Sequence, residues 1–282
     1  MFSFSKSRLM CLGLTVVLAA CGPEPRGAGA QDMGDQLFVS GDRFVERPQV
    51  QSRVVRAFTR EDPARILVIG DSLAQGFGTY LDRRVKERGL TAVVANRGRV
   101  STGLSRTDFY NWPAEFAGQA TSIRPDIVVA HFGANDNQGV VLPDRRVALG
   151  SEGWAMAYRE QTRRILEIAA QNNTMLYLIG PAPDRDPSLN RHLTAINPIF
   201  AEEARQAGAI YLPLTDFAAG DGGAYIRNVS LDGRSVTIRS GDGSHFTSTG
   251  YYLVADKILE DLARRVPAII NGPSVELAGI LQ

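Results

Sequence analysis

Short apolar runs rich in β-branched residues alternate along the chain with longer stretches of helical periodicity. Five such runs predict buried strands at Ile66–Ile69, Ala92–Ala95, Ile127–Ala130, Met175–Ile179 and Ile210–Leu212. The intervening and following stretches predict helices at Tyr80–Arg88, Trp112–Thr121, Trp154–Gln171, Asn197–Ala207 and Ser248–Val266. Strands that alternate with helices favour a mostly parallel sheet covered on both faces. The pattern therefore predicts an α/β fold.

Two segments depart from this alternation. Asn137–Gly153 is a long connection without a strong period, and its length predicts a lid or a rim over a site. Ile226–Leu231 and Ser235–Arg239 flank Asp232-Gly233, and this dipeptide between strand-like runs predicts a hairpin with a type I′ turn. The alternative for both segments is decoration that has no catalytic role, and for the hairpin the two interpretations have equal weight.

The first residues bear on the compartment. Lys6 and Arg8 precede an apolar run, Leu9–Ala20, that is too short to span a bilayer. The run ends in small residues followed by Cys21, which resembles a bacterial lipoprotein signal that is cut before an acylated cysteine. Gly22 stands where an aspartate commonly retains such proteins in the inner membrane, so the resemblance implies a periplasmic lipoprotein of the outer membrane. The alternative is an ordinary signal peptide with a chance cysteine.

Composition excludes several other classes of protein. With a formal net charge of +1 and 22% charged residues, the chain has no strong field to attract nucleic acid. Cys11 and Cys21 are the two cysteines. If Cys11 is removed with the signal and Cys21 is acylated, a disulfide, a cysteine nucleophile and a thiolate metal site are all excluded.

A candidate nucleophile directly follows the first predicted strand. Ser72, in Gly70-Asp71-Ser72, lies at the carboxyl end of a parallel strand, where open α/β sheets place their ligand clefts. The alternative role for this serine is a helix N-cap. His245 is a candidate base, and Asp242 is close enough in a tight turn to orient it. Of the other histidines, His131 is predicted to be packed or locally bonded, and His192 to lie on the surface of a polar loop.

Attack on an ester creates an oxyanion, which needs donors placed in advance. Asn135 follows the third predicted strand and could donate through its amide, although a buried asparagine that fixes a loop is the alternative. After the second strand both Gly98 and Gly103 could offer a backbone N–H, and spacing alone does not choose between them.

Together these segments resemble the SGNH (GDSL-type) hydrolases. Gly70-Asp71-Ser72, a glycine after the second strand, Gly133-x-Asn135-Asp136 and Asp242-x-x-His245 occur in the order of the family's four blocks. The resemblance implies a flavodoxin-like three-layer α/β/α sandwich, here with a small β-hairpin insertion, and no metal or organic cofactor. It also implies catalytic roles, with Ser72 as nucleophile, His245 as base and Asp242 as its orienting acid. The implied oxyanion hole consists of the Ser72 N–H, the Gly103 N–H and the Asn135 side chain. Gly103 is preferred to Gly98 because Val100-Ser101-Thr102-Gly103 is more similar to the family's turn.

The predicted organisation is a lipoprotein signal peptide (1–20), a lipidated N-terminus and flexible tether (21–60), an SGNH hydrolase domain (61–270) and a C-terminal tail (271–282). The expected function is a serine esterase that removes acyl groups, O-acetyl above all, from a cell-envelope carbohydrate. A lipase or arylesterase is a neighbouring possibility. Alternatives are an O-acyltransferase with the same triad and a non-catalytic glycan-binding or assembly lipoprotein. Expected partners are an acylated small molecule or glycan and, through the Cys21 lipid, the membrane, but no nucleic acid.

Arginines and aromatic residues surround the glycine block. They are Arg97, Arg99, Arg106, Phe109, Tyr110 and Trp112. Aromatic rings beside an active site suit stacking on sugars, and arginines suit carboxylates or phosphates. A core role for the aromatic residues is the preferred interpretation.

Overall fold

The computed structural model describes residues 48–51, 54 and 56–270. The predicted signal peptide, Cys21, most of the tether and the tail after residue 270 lie outside the described residues. The described strands are β1 (Ala64–Gly70), β2 (Ala92–Asn96), β3 (Ile127–His131), β4 (Val140–Val141), β5 (Arg146–Val147), β6 (Met175–Gly180), β7 (Ile210–Pro213), β8 (Asn228–Leu231) and β9 (Arg234–Thr237). The helices are α1 (Ser72–Glu87), α2 (Trp112–Ile123), α3 (Trp154–Gln171), α4 (Pro187–Ala207), α5 (Thr215–Ala218) and α6 (Ser248–Arg265).

A parallel sheet of five strands forms the centre, in the order β2-β1-β3-β6-β7. Ile66 of β1 pairs with Val94 of β2 on one side and with Ile127 of β3 on the other. This is the flavodoxin-like order, in which the chain moves to one side of β1 and then returns to the other. The predicted α/β fold with a mostly parallel sheet is therefore confirmed.

The two faces of β1 pack into two separate cores. Ile66 and Val68 lie in the core covered by α1 and α6, whereas Leu67 and Ile69 lie in the core covered by α2, α3 and α4. All four side chains are buried. Because both faces of the strand are covered, its sequence is a continuous apolar run rather than an alternation of apolar and polar residues.

Helix α4 begins ten residues before the predicted start at Asn197. Asp186 caps it by accepting the backbone N–H of Ser188 (2.9 Å) and Leu189 (2.8 Å), and Pro198 lies inside the helix. The prediction that His192 is a surface histidine in a loop is therefore wrong. His192 lies on the buried face of α4, with its ring edge-on to Trp154 at 5.4 Å.

Two short antiparallel ribbons extend from the sandwich. β8 and β9 form the predicted hairpin, and both Asp232 (φ 49°) and Gly233 (φ 74°) have the positive φ that a type I′ turn requires. The segment 137–153 contains the β4–β5 ribbon, whose Val140 is buried in the core beside Trp154. This segment is therefore anchored to the domain.

Across the described residues, no helix is long and apolar enough to cross a membrane. Nor do the same residues include a group of three or more His, Cys, Asp or Glu side chains arranged to hold a metal ion.

Burial of His192 makes the stability of the fold sensitive to acid. Desolvation lowers the pKa of His192 to about 4, against a hydrogen bond to the Gly133 backbone that raises it. The unfolded chain therefore takes up this proton first as the pH falls below the ordinary histidine pKa, and the folded state is destabilised down to about pH 4. From pH 7 to pH 5 we expect a loss of about 2 kcal/mol in unfolding free energy from this residue.

His192→Gln, which cannot be protonated, should remove that loss. Urea unfolding at both pH values, followed by tryptophan fluorescence, measures it as the difference between the wild type and the variant. An equal pH dependence in the two proteins would show that His192 titrates normally in the folded state.

Candidate active site

Asp71 fixes the backbone that presents Ser72. Its Oδ1 accepts the N–H of Leu73 (3.0 Å) and Ala74 (3.2 Å), so Asp71 is the N-cap of α1 and Ser72 is the first helical residue. Asp71 also contacts the end of β3, through His131 Nδ1 (3.0 Å) and the N–H of Ala134 (3.3 Å). The capping role that was an alternative for Ser72 belongs to Asp71, which leaves the serine hydroxyl available for other contacts.

Ser72, His245 and Asp242 form one continuous hydrogen-bonded chain. His245 Nε2 lies 2.9 Å from Ser72 Oγ, and His245 Nδ1 lies 2.7 Å from Asp242 Oδ2. The serine comes from the start of α1, whereas the other two residues come from the turn before α6. Ser72 and His245 are 173 positions apart in the sequence. The structure brings them and Asp242 together in the arrangement that activates a serine nucleophile.

Asp242 is held in its ionised form. Burial raises the pKa of its carboxyl, but hydrogen bonds from Ser240 Oγ (2.6 Å), the His245 ring and the N–H groups of His245 and Ser244 hold the pKa well below its usual range. An ionised carboxylate at this position keeps the proton on His245 Nδ1 and leaves Nε2 free to accept the serine proton.

A buried guanidinium supports the catalytic turn. Arg239 is 1% exposed, and its Nη2 donates to the carbonyl oxygens of Gly243 (3.1 Å) and Ser244 (2.9 Å). Its guanidinium carbon lies 4.5 Å from the Phe246 ring centre and 5.5 Å from that of Tyr225. Burial lowers the pKa of Arg239. The N–H groups at Nε and Nη1 have no partner among the described residues, so its contacts are concentrated on this turn.

Two further side chains reach the turn from the loop after β6. Arg185 Nη2 donates to the carbonyl oxygen of Asp242 (2.9 Å), and Ser244 Oγ donates to Asp184 Oδ2. Asp184 is itself nearly buried and accepts the N–H of Asp186 at 2.7 Å. The turn that carries Asp242 and His245 is thereby attached to the neighbouring strand end.

The structure distinguishes the two candidate glycines. The N–H of Gly98 donates to Asn96 Oδ1 (3.1 Å), and Gly98 packs against the backbone of Gln75. Among the described residues, the N–H of Gly103 has no acceptor, and Gly103 lines one cleft together with Asn135. Asn135 Nδ2 donates one hydrogen to the carbonyl of Thr102 (2.9 Å), which leaves its second hydrogen for a ligand. Gly103 rather than Gly98 therefore has a free donor.

Asp136 fixes the backbone that follows Gly103. Its fully buried carboxylate accepts the N–H of Ser105 (2.8 Å), the N–H of Leu104 (3.1 Å) and the hydroxyl of Tyr158 (2.9 Å). Burial raises the pKa of Asp136, and the N–H donors oppose that rise. A Cβ at Gly103 would overlap the Asp136 carboxylate, so the backbone there must approach it closely.

One family model matches most of the described chain. Residues 65–261 match the model of a family described as "Protein of unknown function (DUF459)". The chain belongs to this family. No curated protein matches the sequence.

Among solved structures, this DUF459 member is similar to a GDSL-like lipase from Bacteroides thetaiotaomicron, at 15% identity with a TM-score of 0.52, covering 71% of this chain and 88% of the other. A carbohydrate acetylesterase family member from Sinorhizobium meliloti gives 13% identity and a TM-score of 0.52, covering 72% and 99%. The aryl esterase of M. smegmatis gives 16% identity and a TM-score of 0.50, covering 72% and 100%. The DUF459 domain thus has the fold of the SGNH hydrolases, as the sequence predicts.

The aromatic residues near the glycine block have separate roles in this DUF459 member. Trp112 is buried and donates through Nε1 to Thr102 Oγ1 (2.9 Å), which fits the preferred core interpretation. Tyr110 lies beneath the Arg99 guanidinium at 4.6 Å, whereas Phe109 is 63% exposed and lines the cleft with Arg106. Arg97 is exposed.

Sequence reasoning missed the residues that support the site. Asp184 and Arg185 follow the carboxyl end of β6, and the rule that such ends face the cleft could have indicated them. No local signal marks Arg239, because its role depends on a turn four residues later and on rings packed above it.

Loss of the Arg239 guanidinium should weaken the activation of Ser72. In Arg239→Met, the carbonyls of Gly243 and Ser244 lose their donor, and the turn that holds His245 loses its fixed position. We expect the rate of Ser72 labelling by a fluorophosphonate probe to fall by about tenfold or more, within the range attributed to a positioned base.

The exposed Arg234, on β9, gives the matched control Arg234→Met, which should label at the wild-type rate. Circular dichroism and thermal unfolding check that the variants fold. A folded Arg239→Met protein that labels as fast as the wild type would contradict the role of this guanidinium.

Proposed function

We propose that this chain is a serine esterase that removes short acyl groups, O-acetyl above all, from a cell-envelope carbohydrate. The observation that carries the proposal is the hydrogen-bonded chain from Asp242 through His245 to Ser72, with contacts of 2.7 and 2.9 Å. A binding protein on this scaffold would not need all three groups in contact.

The geometry supports a two-step mechanism. His245 Nε2 takes the proton of Ser72 Oγ as the oxygen attacks the ester carbonyl carbon. The N–H groups of Ser72 and Gly103 and the second N–H of the Asn135 amide stabilise the oxyanion. His245 then gives its proton to the alcohol oxygen, the C–O bond to the alcohol breaks, and an acyl-Ser72 intermediate is left. Water, activated by the same histidine, attacks this intermediate and releases the acid.

Two separate observations support the substrate and the location. The solved structures with this fold include a carbohydrate acetylesterase family member and an aryl esterase, both of which are named for ester substrates. The sequence around Cys21 predicts export and attachment to a membrane by a lipid, which would bring the domain to the envelope carbohydrates. We therefore propose a periplasmic lipoprotein held at the outer membrane.

Replacing the nucleophile tests the proposal. The full chain, purified in detergent, should release acetate from p-nitrophenyl acetate and from acetylated envelope polysaccharide. Ser72→Ala should reduce both activities by at least about a thousandfold, as expected when a triad member is removed, and should abolish fluorophosphonate labelling. Ser235→Ala, at an exposed serine of β9, is the matched control and should retain activity and labelling.

The controls separate two ways for the proposal to fail. Labelling that survives Ser72→Ala would mean that the nucleophile is elsewhere. If acetyl groups move to an added glycan instead of appearing as acetate, the enzyme is an O-acyltransferase that uses the same triad.

A further inference from the structure

Two clefts lie on either side of the turn that carries Val100 and Ser101, and Ser72 lines the larger of them. The larger, of about 430 Å³, is lined by Ser72, Gln75, Gly76, Thr79, Tyr80, Asn96, Val100, His245 and Tyr251. The smaller, of about 240 Å³, is lined by Ser101, Gly103, Arg106, Phe109, Asn135 and Gln138. We call them the histidine cleft and the amide cleft. The first contains the base, and the second contains two of the three oxyanion donors.

A tight turn separates the two clefts. Val100 lines the histidine cleft and its neighbour Ser101 lines the amide cleft, so the turn that carries both residues is their common wall. Ser101 has a φ of 59°, and Thr102 Oγ1 closes the turn by donating to the carbonyl of Arg99 (2.7 Å). The buried Trp112 indole donates to the same hydroxyl, so the turn between the two clefts is also held from the core of the domain.

The chemistry of ester cleavage assigns one half of the substrate to each cleft. The alcohol oxygen must receive its proton from His245 Nε2, so the alcohol must lie on the side of the histidine. The carbonyl oxygen must point at Gly103 and Asn135, which leaves the acyl group on the side of the amide cleft. We infer that the histidine cleft binds a neutral, polyhydroxylated alcohol such as a sugar, and that the amide cleft admits an acyl group no longer than a few carbons. This inference rests on the proposed esterase function and specifies its substrate.

The histidine cleft offers uncharged hydrogen-bonding groups at fixed positions. Ser72, Gln75 and Thr79 lie three and four residues apart on α1, which places them on one face of the helix. Asn96 Nδ2 donates to the Gln75 carbonyl (2.8 Å) and to Thr79 Oγ1 (3.2 Å), so both are tied to β2. Of the residues that line this cleft in the described structure, none carries a permanent charge.

Gln75 is the side chain best placed to form hydrogen bonds with a sugar hydroxyl. It is exposed, its Nε2 makes one long contact to the Gly98 carbonyl (3.4 Å), and its Oε1 accepts no hydrogen bond from the described residues. An amide can both donate to and accept from a hydroxyl. The buried Tyr251 ring fills the space beside Gly76 and stacks on Tyr80 at 5.2 Å, so the base of this cleft is apolar and fixed.

Arg106, one of the residues that line the amide cleft, forms an ion pair with Asp108. Arg106 Nε donates to Asp108 Oδ1 (2.8 Å), and Arg106 Nη1 lies 3.4 Å from Gln138 Oε1. Gln138 Nε2 in turn donates to the Asn135 carbonyl at 2.6 Å. A long hydrocarbon would remove water from these charged and amide groups without replacing their hydrogen bonds, which is unfavourable. A short acyl group such as acetyl would leave more of these groups in contact with water.

The test uses one variant in each cleft and measures kcat/KM of each variant for two series of substrates. The alcohol series compares a mono-O-acetylated methyl hexoside with hexyl acetate, and the acyl series compares p-nitrophenyl acetate, butyrate and octanoate. The wild type should prefer the hexoside and the acetate. Gln75→Leu should lower the hexoside preference in kcat/KM by about fivefold, as expected for one lost neutral hydrogen bond, and leave the acetate-to-octanoate ratio unchanged.

Arg106→Leu should have the opposite effect. Removing the ion pair should raise kcat/KM for octanoate relative to acetate by about tenfold or more, and leave the hexoside preference unchanged. Gln171→Leu and Arg60→Leu, at exposed positions on the end of α3 and before β1, are matched controls and should change neither ratio.

The outcomes separate this inference from the proposed function. If the wild type cleaves esters but Gln75→Leu alters the acyl ratio, or Arg106→Leu the alcohol ratio, the assignment of the clefts is reversed or wrong. A wild type without preference for the hexoside would overturn the sugar assignment. If the wild type cleaves no ester and Ser72 is not labelled, the proposed function itself fails.

Discussion

The contact between the ends of β1 and β3 is the constraint on which the site depends. Asp71 closes β1, caps α1 and is bonded to His131 and Ala134 at the end of β3. β1 is the strand at which the sheet order reverses, so the connections leave it towards opposite faces and a cleft opens above its end. The same carboxylate thus presents Ser72 at this cleft and fixes the loop that carries Asn135. Every later feature of the site is built on this junction.

Three buried charged groups keep the surrounding loops in one arrangement. Asp71 joins the ends of two strands, Asp136 holds the backbone that directly follows Gly103, and Arg239 holds the turn of Asp242 and His245. Burying such groups is unfavourable unless their hydrogen bonds are made. Alternative loop conformations would leave a charge without partners. The main effect of these charges is therefore to raise the free energy of every other arrangement of the triad and the oxyanion donors, rather than to add net stability.

The sequence predicts those parts of the molecule whose signal is local. The central strands β1, β3 and β6 are buried on both faces and are nearly continuous apolar runs. The edge strands β2 and β7 are only partly buried, but they too are short apolar runs, so all five strands of the main sheet could be predicted. The start of α1 was indicated only by the N-cap alternative for Ser72, because Gly76 and Gly78 interrupt the helical pattern before Tyr80. The start of α4 was missed, because Pro198 inside it resembles a helix breaker and packing overrides it. His192 was misassigned for the same reason.

The site shows the same division between local and tertiary signals. Ser72, Asn135, Asp242 and His245 follow strand ends or share a turn, so local sequence marks them as candidates, and the resemblance to the SGNH hydrolases implies their roles. The choice between Gly98 and Gly103 needs the Asn96 side chain, which occupies one of the two N–H groups. The supporting residue Arg239 depends on contacts that form only when the hairpin, the turn and α6 pack together.

The position of His245 also bears on whether the acyl group passes to water or to a sugar. In the proposed mechanism the same nitrogen protonates the departing alcohol and activates the group that attacks acyl-Ser72, so both would approach from the histidine cleft. Water can reach the intermediate only after the alcohol has left this cleft. A sugar bound tightly to Gln75 and its neighbours would keep water out and return the acyl group to a hydroxyl, whereas a sugar that leaves quickly would permit hydrolysis. The balance between esterase and transferase therefore depends on how long the alcohol stays in the histidine cleft, since the triad itself is the same for both reactions.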